Sequence, residues 1–138
     1  MLTITSITEQ NIPEVEKILK ALDLEIRNQS FKDFFLAFNN NELIGISRLK
    51  EYDSYYFLDS FGIKKKFQNQ KFGKKFIIDL LASCTKPVYL YTIVPEFFKK
   101  CNFKIADNIP NDLPVKDNYF CESCEPNNCK TMVYEMNL

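Results

Sequence analysis

The fold of this chain is decided by the stretch from Phe57 to Leu81, FLDSFGIKKKFQNQKFGKKFIIDLL. Its first part, through Ile63, is mainly apolar and aromatic and predicts a buried strand. A short polar loop that ends at Gly73 follows. Apolar side chains then recur at helical spacing, which predicts an amphipathic helix from about Gln70 to Cys84. The apolar positions of this helix are Phe72, Phe76, Ile77, Leu80 and Leu81.

The loop before this helix is a candidate anion site. Backbone N–H groups at the start of a helix lack partners within the helix, and the helix dipole adds partial positive charge there. Six lysines surround the loop, although Lys plus Arg and Asp plus Glu balance at 18 each over the chain. They are Lys64, Lys65, Lys66, Lys71, Lys74 and Lys75. We expect a phosphate-bearing ligand here, and a solvated lysine face is the alternative.

Two motifs resemble those of the GNAT acetyltransferase superfamily. The loop Gln68-Asn69-Gln70-Lys71-Phe72-Gly73 is similar to the family's Q/R-x-x-G-x-G/A loop, which lies between its fourth strand and third helix. The segment VPEFFKKCNF, from Val94 to Phe103, is similar to the family's A-x-x-F-Y-x-x-x-G-F pattern. The chain departs from these patterns at Lys71, Phe98 and Asn102, which replace a glycine, a tyrosine and a glycine. The Lys71 side chain would either crowd a phosphate or add a charge to it.

The resemblance implies that the loop amides bind the pyrophosphate of coenzyme A and that the preceding strand pairs with its pantetheine arm. The coenzyme-binding positions that it implies are Phe61, Gly62, Ile63, Gln68, Asn69, Gln70, Lys71, Phe72, Gly73, Lys74 and Phe98. We therefore expect an acetyl-CoA-dependent N-acetyltransferase that acts on a small amine, with an amino acid as the first candidate. A non-catalytic acyl-CoA-binding regulator is the alternative, because Phe57 and Phe98 stand where many relatives carry a base and an acid.

The order of predicted elements also resembles that family over nearly the whole chain. The class is α+β, with a mixed, mostly antiparallel sheet, splayed fourth and fifth strands, and one domain over residues 1–138. Asn11 is the expected N-cap of the first helix, and Gly45 marks a bulge or a close approach. The predicted strands are Leu2–Ile4, Phe34–Phe38, Leu43–Tyr52, Tyr55–Ile63, Val88–Thr92, one that begins at Asn102, and Thr131–Met136; the other helices are Ile12–Leu22 and Pro95–Cys101.

Acetyl transfer requires a base for the amine, a donor for the thioester oxygen and a proton for the leaving thiolate. The resemblance implies a backbone N–H between Phe61 and Ile63 as the oxygen donor. The side-chain candidates for acid–base work are Asp59, Ser60 and Tyr91. Neighbouring strand residues point to opposite faces, so at most one of Asp59 and Ser60 faces the cleft. An exposed strand residue or a helix cap partner is the alternative for Asp59, and a core tyrosine is the alternative for Tyr91.

Arginines and cysteines supply the remaining candidate sites. Arg27 and Arg48 are the two arginines of the chain, and either could hold a substrate carboxylate in a bidentate fork. Surface arginines are the alternative. Cys121, Cys124 and Cys129 form C-x-x-C-x-x-x-x-C, which indicates a thiolate zinc site unless the cysteines form a disulfide or have no joint role.

Cys101 is a possible fourth ligand of that zinc site. A similar cysteine-bearing tail after a Leu-Pro segment, here Leu113-Pro114, occurs in short amino-acid N-acetyltransferases, including glutamate-acetylating ones.

Composition excludes several classes of protein and site. The chain has no histidine, which excludes histidine triads and imidazole zinc sites. No apolar run has the length of a membrane span, and the N-terminus lacks the pattern of a signal peptide, so we expect a cytoplasmic protein. The neutral charge balance argues against nucleic acid as a partner. We expect a monomer or a homodimer.

Overall fold

The computed structural model describes residues 2–24, 31–114 and 129–135. In these ranges one sheet has the strand order β1-β2-β3-β4-β5-β7-β6, with three α-helices. The elements are β1 (Leu2–Ser6), α1 (Ile12–Ala21), β2 (Phe34–Asn39), β3 (Glu42–Glu51), β4 (Tyr56–Ile63), α2 (Phe72–Leu81), β5 (Val88–Thr92), α3 (Pro95–Lys99), β6 (Lys104–Ile105) and β7 (Lys130–Tyr134). No helix in the described ranges is long and apolar enough to span a membrane.

The sheet is antiparallel except where β5 lies beside β4. The helical crossover through α2 accounts for this parallel pair, because parallel strands need a long connection. The β4–β5 ladder is short, with Tyr56 opposite Val88 and Phe57 opposite Tyr89, and later residues of β4 have no recorded partner on β5 in the described chain. The predicted α+β fold with splayed fourth and fifth strands is confirmed.

Both faces of the sheet carry core. Alternate residues of a strand point to opposite faces, and in β3 Ile44 belongs to one core cluster whereas Leu43 belongs to the other. The first cluster includes the buried residues of α2, which are Phe76, Ile77, Leu80 and Leu81. The second includes the buried residues of α1, which are Val15, Ile18 and Leu19. The two helices therefore pack on opposite faces of the sheet.

Helix α2 is shorter than predicted, because it begins at Phe72 and ends at Leu81. Its N-cap, Lys71, has a left-handed backbone (φ 68°), which excludes it from the helix. At the other end, the Cys84 N–H donates to the Leu81 carbonyl (3.0 Å) in a tight turn, so the predicted end at Cys84 is wrong.

Other element boundaries also move. Asn11 is the N-cap of α1 as predicted, but its Oδ1 accepts from the Thr8 N–H (3.1 Å) and hydroxyl (2.7 Å) and makes no capping bond to α1. A preceding turn of 3₁₀ helix accounts for this difference. Helix α3 ends at Lys99 rather than Cys101, and strand β6 begins at Lys104 because Asn102 takes a left-handed turn (φ 72°).

Candidate functional site

The middle of β4 contains a β-bulge. On β3, Ile46 pairs with Gly62 and Arg48 pairs with Asp59, so the single residue between them faces two residues of β4, Ser60 and Phe61. Bulges are over-represented beside active sites. This bulge lies beyond the last β4–β5 pair, at the place where the two strands separate.

Ser60 is strained and unsatisfied. Its φ of 52° is a left-handed conformation that costs a residue with a side chain about 1–2 kcal/mol. The side chain is buried, and its Oγ is the sole buried side-chain nitrogen or oxygen without a hydrogen-bond partner in the described ranges. A buried hydroxyl without a partner costs about 1–3 kcal/mol. These two costs make Ser60 a candidate for a role in function rather than in stability.

The glycines near the bulge allow close packing. A Cβ at Gly45 would lie 2.6 Å from Ile63 Cδ1 and 3.0 Å from the Gly62 carbonyl oxygen, so the predicted close approach at Gly45 is confirmed. A Cβ at Gly62 would lie 2.5 Å from Leu22 Cδ1 and 2.8 Å from Leu24 Cδ1. The chain after α1 therefore packs directly against the backbone of β4.

The segment from Gln68 to Lys74, which we call the 68–74 loop, presents free backbone N–H groups. Asn69 and Lys71 have left-handed backbones (φ 65° and 68°). The side-chain amide of Gln68 donates to the Ile63 carbonyl (2.9 Å), which ties the loop to the end of β4. Within the described chain, no N–H from Asn69 to Lys74 donates to a backbone carbonyl. These groups, together with the α2 dipole, fit an anion such as a phosphate.

Three of the six lysines near the loop are neutralised by carboxylates. Lys64 pairs with Glu14 (3.0 Å), Lys66 pairs with Glu42 (2.7 Å), and Lys75 pairs with Asp79 (2.9 Å). The other three are exposed and form no ion pair within the part of the chain that the structure describes; they are Lys65, Lys71 and Lys74. The charge available to an anion at this loop therefore comes mainly from these three.

Aromatic rings cover the space between the loop and the splayed strands. The Phe61 ring of β4 lies 5.9 Å from the Phe97 ring and 6.2 Å from the Phe98 ring of α3. A Cβ at Gly73 would lie 3.3 Å from Phe97 Cζ. Phe98, which replaces the family's tyrosine, is buried against Phe103. Its ring offers contact area near this space but no proton.

Arg48 and Asp59, which the sequence predicted for separate roles, form one partly buried ion pair. Arg48 Nε donates to Asp59 Oδ1 (2.8 Å), and Arg48 Nη2 donates to Oδ2 (2.5 Å). The side chains are only 14% and 8% exposed. The bulge brings them together, since an unbroken register from the Ile46–Gly62 pair would place Arg48 opposite Ser60. The carboxylate holds two charge-assisted bonds, and the guanidinium fork is already occupied.

Tyr91 lies on β5, across the splayed gap from β4. Its hydroxyl donates to the Pro114 carbonyl (2.5 Å), and its ring lies 5.0 Å from the Phe57 ring, edge to face. Burial raises the pKa of Tyr91, and the nearby Cys129 and Tyr52 raise it further. The phenol therefore keeps its proton more firmly than an exposed tyrosine, and that proton is bonded to the Pro114 carbonyl.

Some predicted site residues lie outside the described ranges, namely Arg27, Cys121 and Cys124. Cys129 is described and is half-buried, and Cys101 is buried in the core. Among the described residues, no three His, Cys, Asp or Glu side chains are grouped so that they could hold a metal ion. The described chain therefore gives no support to the predicted zinc site.

Comparison with known proteins gives the family. Residues 4–103 match the model of the Acetyltransferase (GNAT) family. Among proteins with curated descriptions, no relative matches the chain significantly. Several solved structures share the fold, with identities low enough that the likeness concerns the fold alone.

N-acetylglutamate synthase from Neisseria gonorrhoeae, complexed with coenzyme A and N-acetyl-glutamate, matches with a TM-score of 0.75 at 16% identity. The match covers 100% of this chain and 36% of the synthase, so this chain spans about a third of that protein's length.

Two matched proteins are similar in length to this chain. Arabidopsis thaliana Naa50, in complex with the bisubstrate analogue CoA-Ac-MVNAL, has a TM-score of 0.68 at 14% identity, over 98% of this chain and 99% of that one. A GNAT-family acetyltransferase from Staphylococcus aureus Mu50 has a TM-score of 0.69 at 17% identity, over 99% of this chain and 100% of that one. Since the family model matches most of its length, this chain belongs to the GNAT family of acetyltransferases.

Proposed function

We propose that this chain transfers the acetyl group of acetyl-CoA to the amino group of a small molecule, with a free amino acid as the first candidate. The observation that carries the proposal is the 68–74 loop, whose N–H groups and exposed lysines have no partner among the described residues and follow the splayed end of β4 after one short 3₁₀ turn. The synthase neighbour, complexed with coenzyme A and N-acetyl-glutamate, supports an amino acid acceptor. The Naa50 neighbour, with its peptide analogue, makes a peptide N-terminus the competing acceptor.

The proposal gives each part of the site a task. The N–H groups from Asn69 to Lys74 would bind the pyrophosphate, with Lys65, Lys71 and Lys74 supplying charge. Beyond Phe57, the edge of β4 that faces the gap pairs with no strand among the described residues. The backbone groups near Phe61 to Ile63 would therefore be able to pair with the pantetheine arm. Phe61 and Phe98 would supply apolar contact with that arm.

The chemistry requires few ionisable side chains. The amine nitrogen attacks the thioester carbonyl carbon, the carbon–sulfur bond breaks, and the departing thiolate takes a proton. Tyr91, which lies on β5 beyond the last β4–β5 pair, is our candidate for that donor. Asp59 is held by Arg48 in a bidentate pair, so we infer that the amine loses its proton to water rather than to this carboxylate.

Calorimetric titration of the reduced protein with acetyl-CoA tests whether the 68–74 loop binds the coenzyme. We expect one-to-one binding that the variant Gly73→Val weakens at least tenfold, because its side chain would enter the space beside the loop and the Phe97 ring. The control is Ala82→Val, at the exposed far end of α2. Absence of binding, or equal binding by both variants, would contradict the proposal.

Release of free thiol from acetyl-CoA, measured over a panel of amino acids, simple amines and peptides, tests the acceptor. Turnover with free amino acids alone supports the proposed class, and turnover with peptides alone would replace it with N-terminal acetylation.

A second function is favoured by the buried apolar residues at two family positions. Phe57 is 2% exposed and Phe98 is 6% exposed, and neither ring can transfer a proton. A chain that binds acyl-CoA without turning it over, as a regulator, would tolerate both replacements. Tight binding of acetyl-CoA with no thiol release for any acceptor would favour this alternative.

A further inference from the structure

Ser60 combines three features that packing alone does not explain. Its hydroxyl is buried and has no hydrogen-bond partner in the part of the chain that the structure describes, and its backbone is left-handed. It also lies in the β4 bulge, three residues beyond the last β4–β5 pair at Phe57. Ser47, the β3 residue that faces the bulge, is the opposite case, because it is fully buried and its hydroxyl donates to the Arg48 carbonyl (3.5 Å).

We propose that the Ser60 hydroxyl is a hydrogen-bond donor to the carbonyl oxygen of the bound acetyl thioester. The inference rests on the proposed function. A buried donor without a partner is retained against its cost when a ligand supplies the missing acceptor. In the reaction, the thioester carbonyl oxygen gains negative charge as the amine attacks, and a donor held at that oxygen favours the transition state over the ground state.

A serine hydroxyl can donate a hydrogen bond to the thioester carbonyl oxygen, but it cannot serve as the base for the amine. Its hydroxyl is too weak a base to deprotonate an amine, and it remains protonated, so it donates without changing charge. The nearby side chains of β4 do not supply such a donor, since Asp59 accepts two bonds from Arg48 and Phe61 is apolar. Ser60 would act beside the backbone N–H groups of the bulge.

The test compares two ligands that differ at the carbonyl. Acetyl-CoA has the carbonyl oxygen, and S-ethyl-CoA has a methylene in its place. Their dissociation constants are measured by calorimetry for the wild type, Ser60→Ala, Ser60→Gly and the control Ser47→Ala. We expect the preference of the wild type for acetyl-CoA to fall about three- to tenfold in both Ser60 variants and to persist in the control.

The two Ser60 variants separate the hydroxyl from the backbone. Both remove the donor, but only glycine removes the strain of the positive φ. We expect the same loss of preference from both, a rise in KM for acetyl-CoA that follows the weaker binding, and a fall in kcat of at least tenfold. A preference that survives in either variant, or a loss only in Ser60→Ala, would overturn the role of the hydroxyl. If the wild type binds neither ligand, the proposed function itself is refuted, and this role with it.

Unfolding in urea separates a role of Ser60 in function from a role in folding, because the two predict opposite changes in the urea midpoint of Ser60→Ala. If Ser60 stabilised the fold, Ser60→Ala would lower the urea midpoint. We expect an unchanged or higher midpoint, because the variant removes a buried hydroxyl that has no partner. A marked fall would assign Ser60 to folding and contradict the proposal.

Discussion

Lys71 is the residue at which this chain departs most from the glycine-rich loop of its family. It has a left-handed backbone (φ 68°) where the family has glycine, and its side chain is exposed at the N-terminus of α2. The lysine therefore holds a left-handed backbone at a conformational cost and adds a charge beside the N–H groups of the loop. From the sequence alone, the Lys71 side chain would either crowd a phosphate or attract it.

Two substitutions at Lys71 separate charge from conformation. We expect Lys71→Ala and Lys71→Gly each to weaken acetyl-CoA binding about two- to fivefold, because both remove one exposed positive charge. Glycine should raise the free energy of unfolding by about 1 kcal/mol relative to alanine, since only glycine adopts this φ without strain.

Calorimetry at two salt concentrations and urea unfolding measure the two effects. Lys17→Ala, an exposed lysine on α1, is the control. Tighter binding by the variants would show that the side chain crowds the ligand.

The Arg48–Asp59 pair gives a second prediction for single residues. Arg48→Met leaves the partly buried Asp59 carboxylate without its guanidinium, and we expect a loss of about 2 kcal/mol in the free energy of unfolding, less than for a fully buried pair. The double variant Arg48→Met, Asp59→Leu should recover most of that loss, because an apolar pair needs no compensating charge. Urea unfolding of both variants measures the difference. A double variant as unstable as the single one would argue that the pair fixes the register of the bulge.

At the scale of elements, the surroundings of Gly45 in β3 and of Gly73 in α2 predict that an added methyl group destabilises the fold at the first position and not at the second. We expect Gly45→Ala to lower the free energy of unfolding by about 1–3 kcal/mol, because the new Cβ would lie 3.0 Å from a backbone oxygen and 2.6 Å from Ile63 Cδ1. In Gly73→Ala the new Cβ would lie 3.3 Å from Phe97 Cζ and 3.6 Å from Phe61 Cζ, which are ring ends rather than backbone, and alanine adds helix propensity at the start of α2. Its effect should stay within about 0.5 kcal/mol of zero. Chemical denaturation of the two variants side by side checks the contrast, and equal losses would refute it.

The elements themselves were predictable because their signals are local. The apolar spacing from Phe72 to Leu81 is sufficient to indicate α2, and the asparagines of the β2–β3 turn do take positive φ, at 52° for Asn40 and 69° for Asn41. The bulge was not predictable, because serine carries no signal for a left-handed backbone. The left-handed Ser60 occurs where β3 and β4 shift register, and that pairing joins residues distant in sequence.

At the scale of the whole molecule, the site depends on contacts that cross the sequence. The sequence placed Arg48 and Asp59 in the site for different purposes, and their pairing requires the one-residue shift that the bulge introduces. Likewise, the lysine cluster was visible in the sequence, but which lysines are neutralised depends on distant acids. Glu14 of α1 reaches Lys64, and Glu42 of β3 reaches Lys66. A single sequence has no local signal for such partners.

Two buried groups that ionise in alkali, the Tyr55 phenol and the Cys84 thiol, predict that the folded protein loses stability at high pH. Burial, with smaller contributions from Asp112, Tyr52 and Tyr91, raises the pKa of Tyr55 from 10.0 to about 12. Burial likewise raises the pKa of Cys84 from 9.0 to about 11. The unfolded chain loses each proton at the lower pH and the folded chain keeps it. Stability is therefore full below pH 9 and falls as the pH rises through about 11 for Cys84 and about 12 for Tyr55.

Urea unfolding between pH 8 and pH 12 measures this decline, which we expect to reach about 2 kcal/mol for each group. Tyr55→Phe should flatten the part of the decline above about pH 10, and it should cost about 1 kcal/mol at neutral pH because the bond from the phenol to the Asp112 carbonyl (3.1 Å) is lost. Cys84→Ala should instead remove the part that begins near pH 9, because it deletes the thiol that ionises first on unfolding. If Tyr55→Phe keeps the full slope above pH 10, groups other than this buried phenol govern the alkaline limit of the fold.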